Sequence, residues 1–276
     1  MAGAQNGKSE YIKLEQRLVL LAWLNELFGY ENNRDLLTDI KEAAEGFDAS
    51  GRSCVYHRLE ARGDKVRIPL TDLARYDDNI REHLRVMNVR RSDPITLRYF
   101  QHLAVLYTEL FLDWFFHRLG EMLHSLNGFV EKRNAAKPPG ESKDAKFSES
   151  DLKKLAFWMA TGSGKTLIMH LNYRQFLHYN DLPLDNILLI TPNEGLSAQH
   201  MAEMADSDIP ARRFDLNESG LYREQAKAER CFDRGPVPAS SIGEQARLGG
   251  QDDSKAHRGQ DRPGYARRPG RVRGQV

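Results

Sequence analysis

Seven consecutive residues, Ala160-Thr161-Gly162-Ser163-Gly164-Lys165-Thr166, combine the residue types needed to hold a phosphate chain. Gly162 and Gly164 permit backbone conformations closed to residues with side chains, so successive N–H groups around Thr161 and Ser163 can converge on an anion. Lys165 offers a point charge for β- and γ-phosphates, and the Thr166 hydroxyl is a candidate Mg²⁺ ligand. A helix opening near Lys165 would add the positive end of its dipole. Gly-x-Gly alone would say little, because tight turns need glycine anyway. The Gly-Lys-Thr ending, with an apolar run before it and a helical pattern after it, is what points to a nucleotide.

Those flanking elements are expected to position the loop. Leu155-Ala-Phe-Trp-Met159 is five apolar residues in a row and reads as a buried strand of a parallel sheet, covered on both faces. Leu167, Ile168, Leu171 and Phe176 suit a helix packed on that sheet. A second apolar strand is expected at Asn186-Ile-Leu-Leu-Ile190, followed by Thr191-Pro192-Asn193 and a helix from Leu196 to Ala205. By itself that second unit could be an ordinary βα turn, where Pro and Asn are common.

The loop departs from the general P-loop pattern at Met159, where a glycine would stand five residues before Gly164. The form Ala-Thr-Gly-Ser-Gly-Lys-Thr instead resembles motif I of superfamily 2 helicases and translocases. It is most similar to the DEAD/DEAH-like group that includes the restriction subunit of type III restriction enzymes. Thr191-Pro192-Asn193 resembles motif Ia of that group, a turn that lies against the nucleic-acid backbone. Leu97-Arg98-Tyr99-Phe100-Gln101 resembles a Leu-Arg-x-x-Gln segment that precedes motif I there. The resemblance implies that Gln101 reads the adenine edge, which suits a carboxamide carrying both a donor and an acceptor. It further implies ATP and Mg²⁺ as cofactors, DNA as the polymer acted on, and a methyltransferase-type subunit as a possible partner. The fold it implies is α/β, a partial RecA-like P-loop domain.

Composition sets the remaining bounds. The 276 residues carry 40 Lys and Arg against 39 Asp and Glu, a net charge of +1, so any contact with nucleic acid must be local. Cys54 and Cys231 have no metal-ligand spacing, which suits a reducing cytoplasm. His102, His117 and His124 are spaced too widely along the chain for a metal triad. Met1 to Glu10 lacks the apolar core of a secretory signal. The apolar stretch Leu103 to Phe116 is interrupted by Glu109 and Asp113, too soon for a membrane span, so a soluble protein without a membrane partner is expected.

Three regions follow from the periodicity. Residues 1–92 read as a helical accessory region, with helices at Tyr11 to Phe28, stopped by Gly29, at Arg34 to Glu45, and from Pro69 onward with Thr71 or Asp72 as cap. Asp48 to Arg67 reads as irregular, and Asp77-Asp78 as a solvated face rather than a metal or acid/base pair. Residues 93–220 read as the ATP-binding part, with a helix start at Asp93-Pro94 and a deeply buried helix from Leu103 broken near Gly120 or Gly128. Residues 131–150 read as an exposed linker. Residues 221–276 are poor in apolar residues and are expected to be disordered, with an out-of-frame origin as the hypothesis.

Hydrolysis needs more than a phosphate loop. The superfamily uses an apolar strand ending in Asp-Glu for the second Mg²⁺ contact and for orienting water. After Thr191 the acidic pairs are Asp206/Asp208 and Asp252-Asp253, and neither follows an apolar run. The expectation is therefore an N-terminal ATP-binding part of a helicase or translocase that is not hydrolytically competent alone. The alternatives are a non-catalytic nucleotide- or partner-binding regulator and a small P-loop kinase or NTPase.

Overall fold

The computed structural model describes residues 14–184 and 186–213. The expectations for the N-terminal thirteen residues, for Cys231 and for the tail 221–276 lie outside them. The chain divides into two compact units. The larger holds residues 14–184 and 189–212 of the described set, and of the smaller only 186–188 and Arg213 are described.

The larger unit is helical. It begins with α1 (Leu14–Arg17), α2 (Val19–Leu27), α3 (Asn33–Ile40) and α4 (Cys54–Glu60). After a single 3-10 turn at Gly63–Lys65 come α5 (Leu70–Met87), α6 (Tyr99–His117) and α7 (Leu119–Ala136). The last three are α8 (Glu149–Leu152), α9 (Lys165–Tyr179) and α10 (Glu194–Asp206). The central helix is α6, which packs against α4, α5, α7 and α9. Its residues are buried on every face, from Gln101 to Asp113, as the aromatic and apolar run requires. Around it, α5 turns a single stripe inward: Leu73, Tyr76, Ile80, Leu84 and Met87 recur at helical spacing and all are buried.

The expected stop after α2 is present. Gly29 takes φ +78°, and a Cβ there would stand 2.6 Å from the Lys65 carbonyl oxygen, so both conformation and close approach require glycine.

Several boundaries differ from the sequence reading, each for a local reason. The segment read as irregular contains α4, capped by Ser53, whose hydroxyl accepts from Tyr56 N at 3.0 Å, and anchored by buried Val55 and Leu59. Neither Thr71 nor Asp72 caps α5. Its first turn follows Pro69, and the Asp72 carboxylate accepts from Arg75 and Arg118 instead. No helix starts at Asp93-Pro94, because the Asn88 side chain bonds both backbone groups of Ile95 and holds that stretch extended until Tyr99. The break after α6 falls at Arg118 (φ −138°, ψ 36°), not at a glycine; Gly120 and Gly128 sit inside α7. The linker is shorter than expected, since α7 continues to Ala136. Asn127 and Asn134 each form two hydrogen bonds with the returning chain, at Phe147 and Asp144.

Asp77 is not on a solvated face. It is buried between α4, α5 and α6, accepting from Ser53 N at 2.9 Å and Ser53 Oγ at 2.6 Å, with His102 Nε2 3.4 Å away. Asp78, its neighbour, is the exposed one of the pair and meets Arg52 and Arg81.

Neither apolar run expected as a strand is paired into a sheet among the described residues. Leu155, Phe157 and Met159 pack on the helical core, while Trp158 between them is 83% exposed. Ile187, Leu188 and Ile190 are exposed as well. The helix after Gly164, α9, therefore buries Ile168 and Leu171 against helices, chiefly α6 and α5, rather than against a sheet.

Where α9 meets α10, His170 Nδ1 lies 2.8 Å from Ser207 Oγ, which also accepts from Arg91. Burial, with Arg91, His200 and Arg174 nearby and only Glu203 opposing them, pushes the His170 imidazole down to about 4. A neutral native histidine means that the unfolded chain takes up the proton first as pH falls below 6.5. This contribution to stability is therefore intact above 6.5 and is lost progressively toward 4. Between pH 7.5 and pH 5 the chain should lose about 2 kcal/mol from this group. Urea unfolding of the parent and of His170→Gln at the two pH values checks this, because the variant should lose correspondingly less.

Candidate nucleotide-binding site

The loop 160–164 leads directly into α9, whose first residue is Lys165. Gly162 has φ +76° and Gly164 φ +84°, the left-handed region that both glycines were expected to supply. Gly164 serves as the N-terminal cap of α9, and Ser163 N and Ser163 Oγ both turn back to the Ala160 carbonyl, at 3.3 and 2.7 Å. The turn is thus built from its own backbone, with Thr161 and Gly162 exposed and Thr166 half-buried at the start of the helix. The turn ends at the positive end of a fifteen-residue helix, where an anion is favoured.

Lys165 is exposed and its ammonium donates to the carbonyls of Ala160 at 2.8 Å and Met159 at 3.3 Å. Among the described residues neutral carbonyls are its partners, and no carboxylate compensates the charge.

Gln101 is brought to the same place from 62 residues upstream. Its Nε2 donates to the Ser163 carbonyl at 2.9 Å, while its Oε1 accepts from Arg98 N at 2.9 Å, within the first turn of α6. It packs so closely that a Cβ on Gly164 would stand 2.5 Å from Nε2. Gly164→Ala would therefore combine a disfavoured φ with displacement of Gln101. Expected is a loss of about 2–3 kcal/mol in stability, read by urea denaturation, together with weakened ATP binding.

Thr191, Pro192 and Asn193 form the turn ahead of α10. Asn193 Oδ1 accepts from Leu196 N at 2.9 Å and so caps the helix, and Thr191 Oγ1 donates to the Asn193 carbonyl at 3.2 Å. Pro192 and Asn193 are exposed. No group of three or more His, Cys, Asp or Glu able to hold a metal occurs among the described residues, so a Mg²⁺ ion here would rely on Thr166 and on the phosphates themselves.

Sequence reasoning named Met159 and Ala160 but not the role of their carbonyls as acceptors for Lys165, which carries no side-chain signal. Asp77 and Asp113, buried acceptors that tie α5 to its neighbours, were visible in sequence only as half of an acidic pair and as a charge interrupting an apolar run.

No helix among the described residues is long and apolar enough to cross a membrane. Comparison with known proteins returns one family model, described as type III restriction enzyme, res subunit, which matches residues 95–245. No curated protein and no solved structure matches. The matched segment starts just before α6 and takes in Gln101, the phosphate loop and Thr191-Pro192-Asn193. It covers more than half of the chain, and this chain therefore belongs to the type III restriction enzyme res subunit family, within helicase superfamily 2.

Proposed function

We propose that residues 93–213 bind ATP as part of a helicase-like, DNA-acting motor. The observation that carries the reading is the pair of left-handed glycines ahead of α9, with Gln101 fastened to the carbonyl between them. The family usually uses ATP with Mg²⁺, and the residues present fit that group. The triphosphate would take the Lys165 ammonium from the carbonyls of Met159 and Ala160, and the amides of Gly162 to Thr166 would face its oxygens. Thr166 would hold Mg²⁺, which neutralises charge on the β- and γ-phosphates when bound. Gln101 would present its carboxamide to adenine, exchanging one of its present hydrogen bonds. The exposed turn Thr191-Pro192-Asn193 would meet the DNA backbone, and a methyltransferase-type subunit would be the partner in the full system.

The α/β, partial RecA-like fold belongs to the same proposal, with 155–159 and 186–190 as its strands once paired. Binding without turnover is the expected activity of this chain alone. Asp206 ends α10 and Asp208 follows it, both exposed and Asp208 paired with Arg90, and Asp252-Asp253 follows no apolar run. A second reading, a non-catalytic protein that binds nucleotide or a partner, is favoured by one observation, the exposure of Trp158, Ile187, Leu188 and Ile190. Equilibrium titration with Mg-ATP, run beside a phosphate-release assay with duplex DNA, tests the binding and the absence of turnover. Saturable binding without release is expected. Release at motor-like rates would overturn the non-hydrolysing part, and absence of binding would overturn the whole.

A further inference from the structure

Glu109 and Gln175 are fully buried polar side chains in the contact between α6 and α9, and neither touches the phosphate loop. Gln175 Nε2 donates to Val105 O and to Glu109 Oε1, each at 2.8 Å. Glu109 Oε2 accepts from Tyr179 OH at 2.5 Å and from Asn79 Nδ2, on α5, at 3.0 Å. On α6, Gln101, Val105 and Glu109 follow one another at intervals of four, so the cluster and Gln101 share one face. Gln101 meets Ser163 where both helices begin, and Glu109 meets Gln175 and Tyr179 further along, so α6 and α9 run in the same direction. The cluster lies about 12 Å along α6 from Gln101 and about 15 Å along α9 from Lys165.

Apolar packing between two helices is non-directional and fixes their axial register weakly. Buried hydrogen bonds fix it more strongly: Gln175 Oε1 and His83 Nε2 already lack a hydrogen-bond partner among the described residues, and a slide by one turn would strand the remaining groups in an apolar interior as well. Sliding α9 along α6 would also carry Ser163 and Gly164 away from Gln101.

We propose that Glu109 and Gln175 are positioning residues that lock the register of α9 on α6, and so place Gln101 and Lys165 on one and the same nucleotide. The proposal rests on the reading of Gly162 to Thr166 and Gln101 as a nucleotide site, and it makes the purine preference of that site depend on residues remote from it.

The test uses the full chain with Gln175→Met, which keeps side-chain length and removes both donated bonds, and with Tyr179→Phe, which keeps shape and removes the bond donated to Glu109 and the one accepted from Asn79. Two quantities are read. The first is amide exchange at residues 162–165 without nucleotide, expected to rise about tenfold in Gln175→Met and less in Tyr179→Phe. The second is the affinity ratio of Mg-ATP to Mg-GTP, expected to fall about tenfold toward unity while affinity for inorganic tripolyphosphate stays unchanged. Folded variants with unchanged exchange and an unchanged ratio would overturn the proposal, as would a uniform rise in exchange along both helices, the mark of a structural role only. Should Gln175→Met fail to fold, Tyr179→Phe decides in the same two readouts. A parent chain that binds no nucleotide sinks the site assignment separately, and the exchange measurement still decides the register lock.

Discussion

Replacing Lys165 by alanine should abolish ATP binding and leave the fold intact. The side chain is exposed and, among the described residues, donates to the carbonyls of Met159 and Ala160, so its loss should cost under about 1 kcal/mol in unfolding experiments. Bound to a triphosphate, the same ammonium would make charge-assisted hydrogen bonds worth about 1.5–3 kcal/mol each. Two of them correspond to a fall in affinity of roughly two to four orders of magnitude. Lys165→Arg should not restore binding, because a planar guanidinium does not replace a compact ammonium on a flexible stem in so tight a turn. Isothermal titration with Mg-ATP, together with thermal unfolding, reads both quantities. Unchanged ATP affinity in Lys165→Ala would remove the loop from the account of nucleotide binding.

Replacing Asp113 by alanine should do the opposite, destabilising the chain severely without touching the site. Its carboxylate sits near the end of α6 and is almost fully buried. It accepts from Arg75 at 3.0 Å, from Tyr76 OH at 2.6 Å, from His117 Nδ1 at 3.0 Å and from Arg118. Burial alone would raise the Asp113 carboxyl, but these four donors outweigh it and hold it well below the ordinary carboxylate range. Removing the acceptor takes the hydrogen-bond partner from the buried Tyr76 hydroxyl and leaves Arg75 and Arg118 with Asp72 as their remaining carboxylate, a loss of about 2–3 kcal/mol. Because the folded pKa is depressed, this stability is present above the unfolded value near 4 and is lost only as pH falls below it. The Asp113 effect therefore lies on the acid side of the His170 effect, and the two can be separated in one pH series. An Asp113→Ala variant within 1 kcal/mol of the parent by urea denaturation would show that the cluster is decorative.

The turn ahead of α9 was legible in its backbone, because Gly162 and Gly164 state their left-handed conformation outright. Gly29 was legible for the same reason. Gln101 could be placed only through resemblance, since nothing in its neighbourhood in sequence announces a hydrogen bond to a carbonyl 62 residues away. The helix starts were misread where a side chain outside the helix decided the matter. Asn88 holds Ile95 extended, and a caps-and-proline reading at Asp93-Pro94 has no access to that. Arg118 breaks the α6–α7 path while Gly120 and Gly128 do not, because glycine permits a break but does not impose one. Asp77 looked like half of an exposed acidic pair, yet its partners Ser53 and His102 come from two other helices. The strand expectation for 155–159 followed from local apolarity, whereas a strand exists only by pairing with another, and among the described residues these find none.

The most direct measurement is amide hydrogen exchange of the full chain with and without saturating Mg-ATP, resolved to peptides. Expected is protection confined to two separated stretches, 160–168 and 98–102, which only a nucleotide held between the phosphate loop and Gln101 would link. Protection elsewhere, or none at either stretch at any ATP concentration, would contradict the assignment of this site.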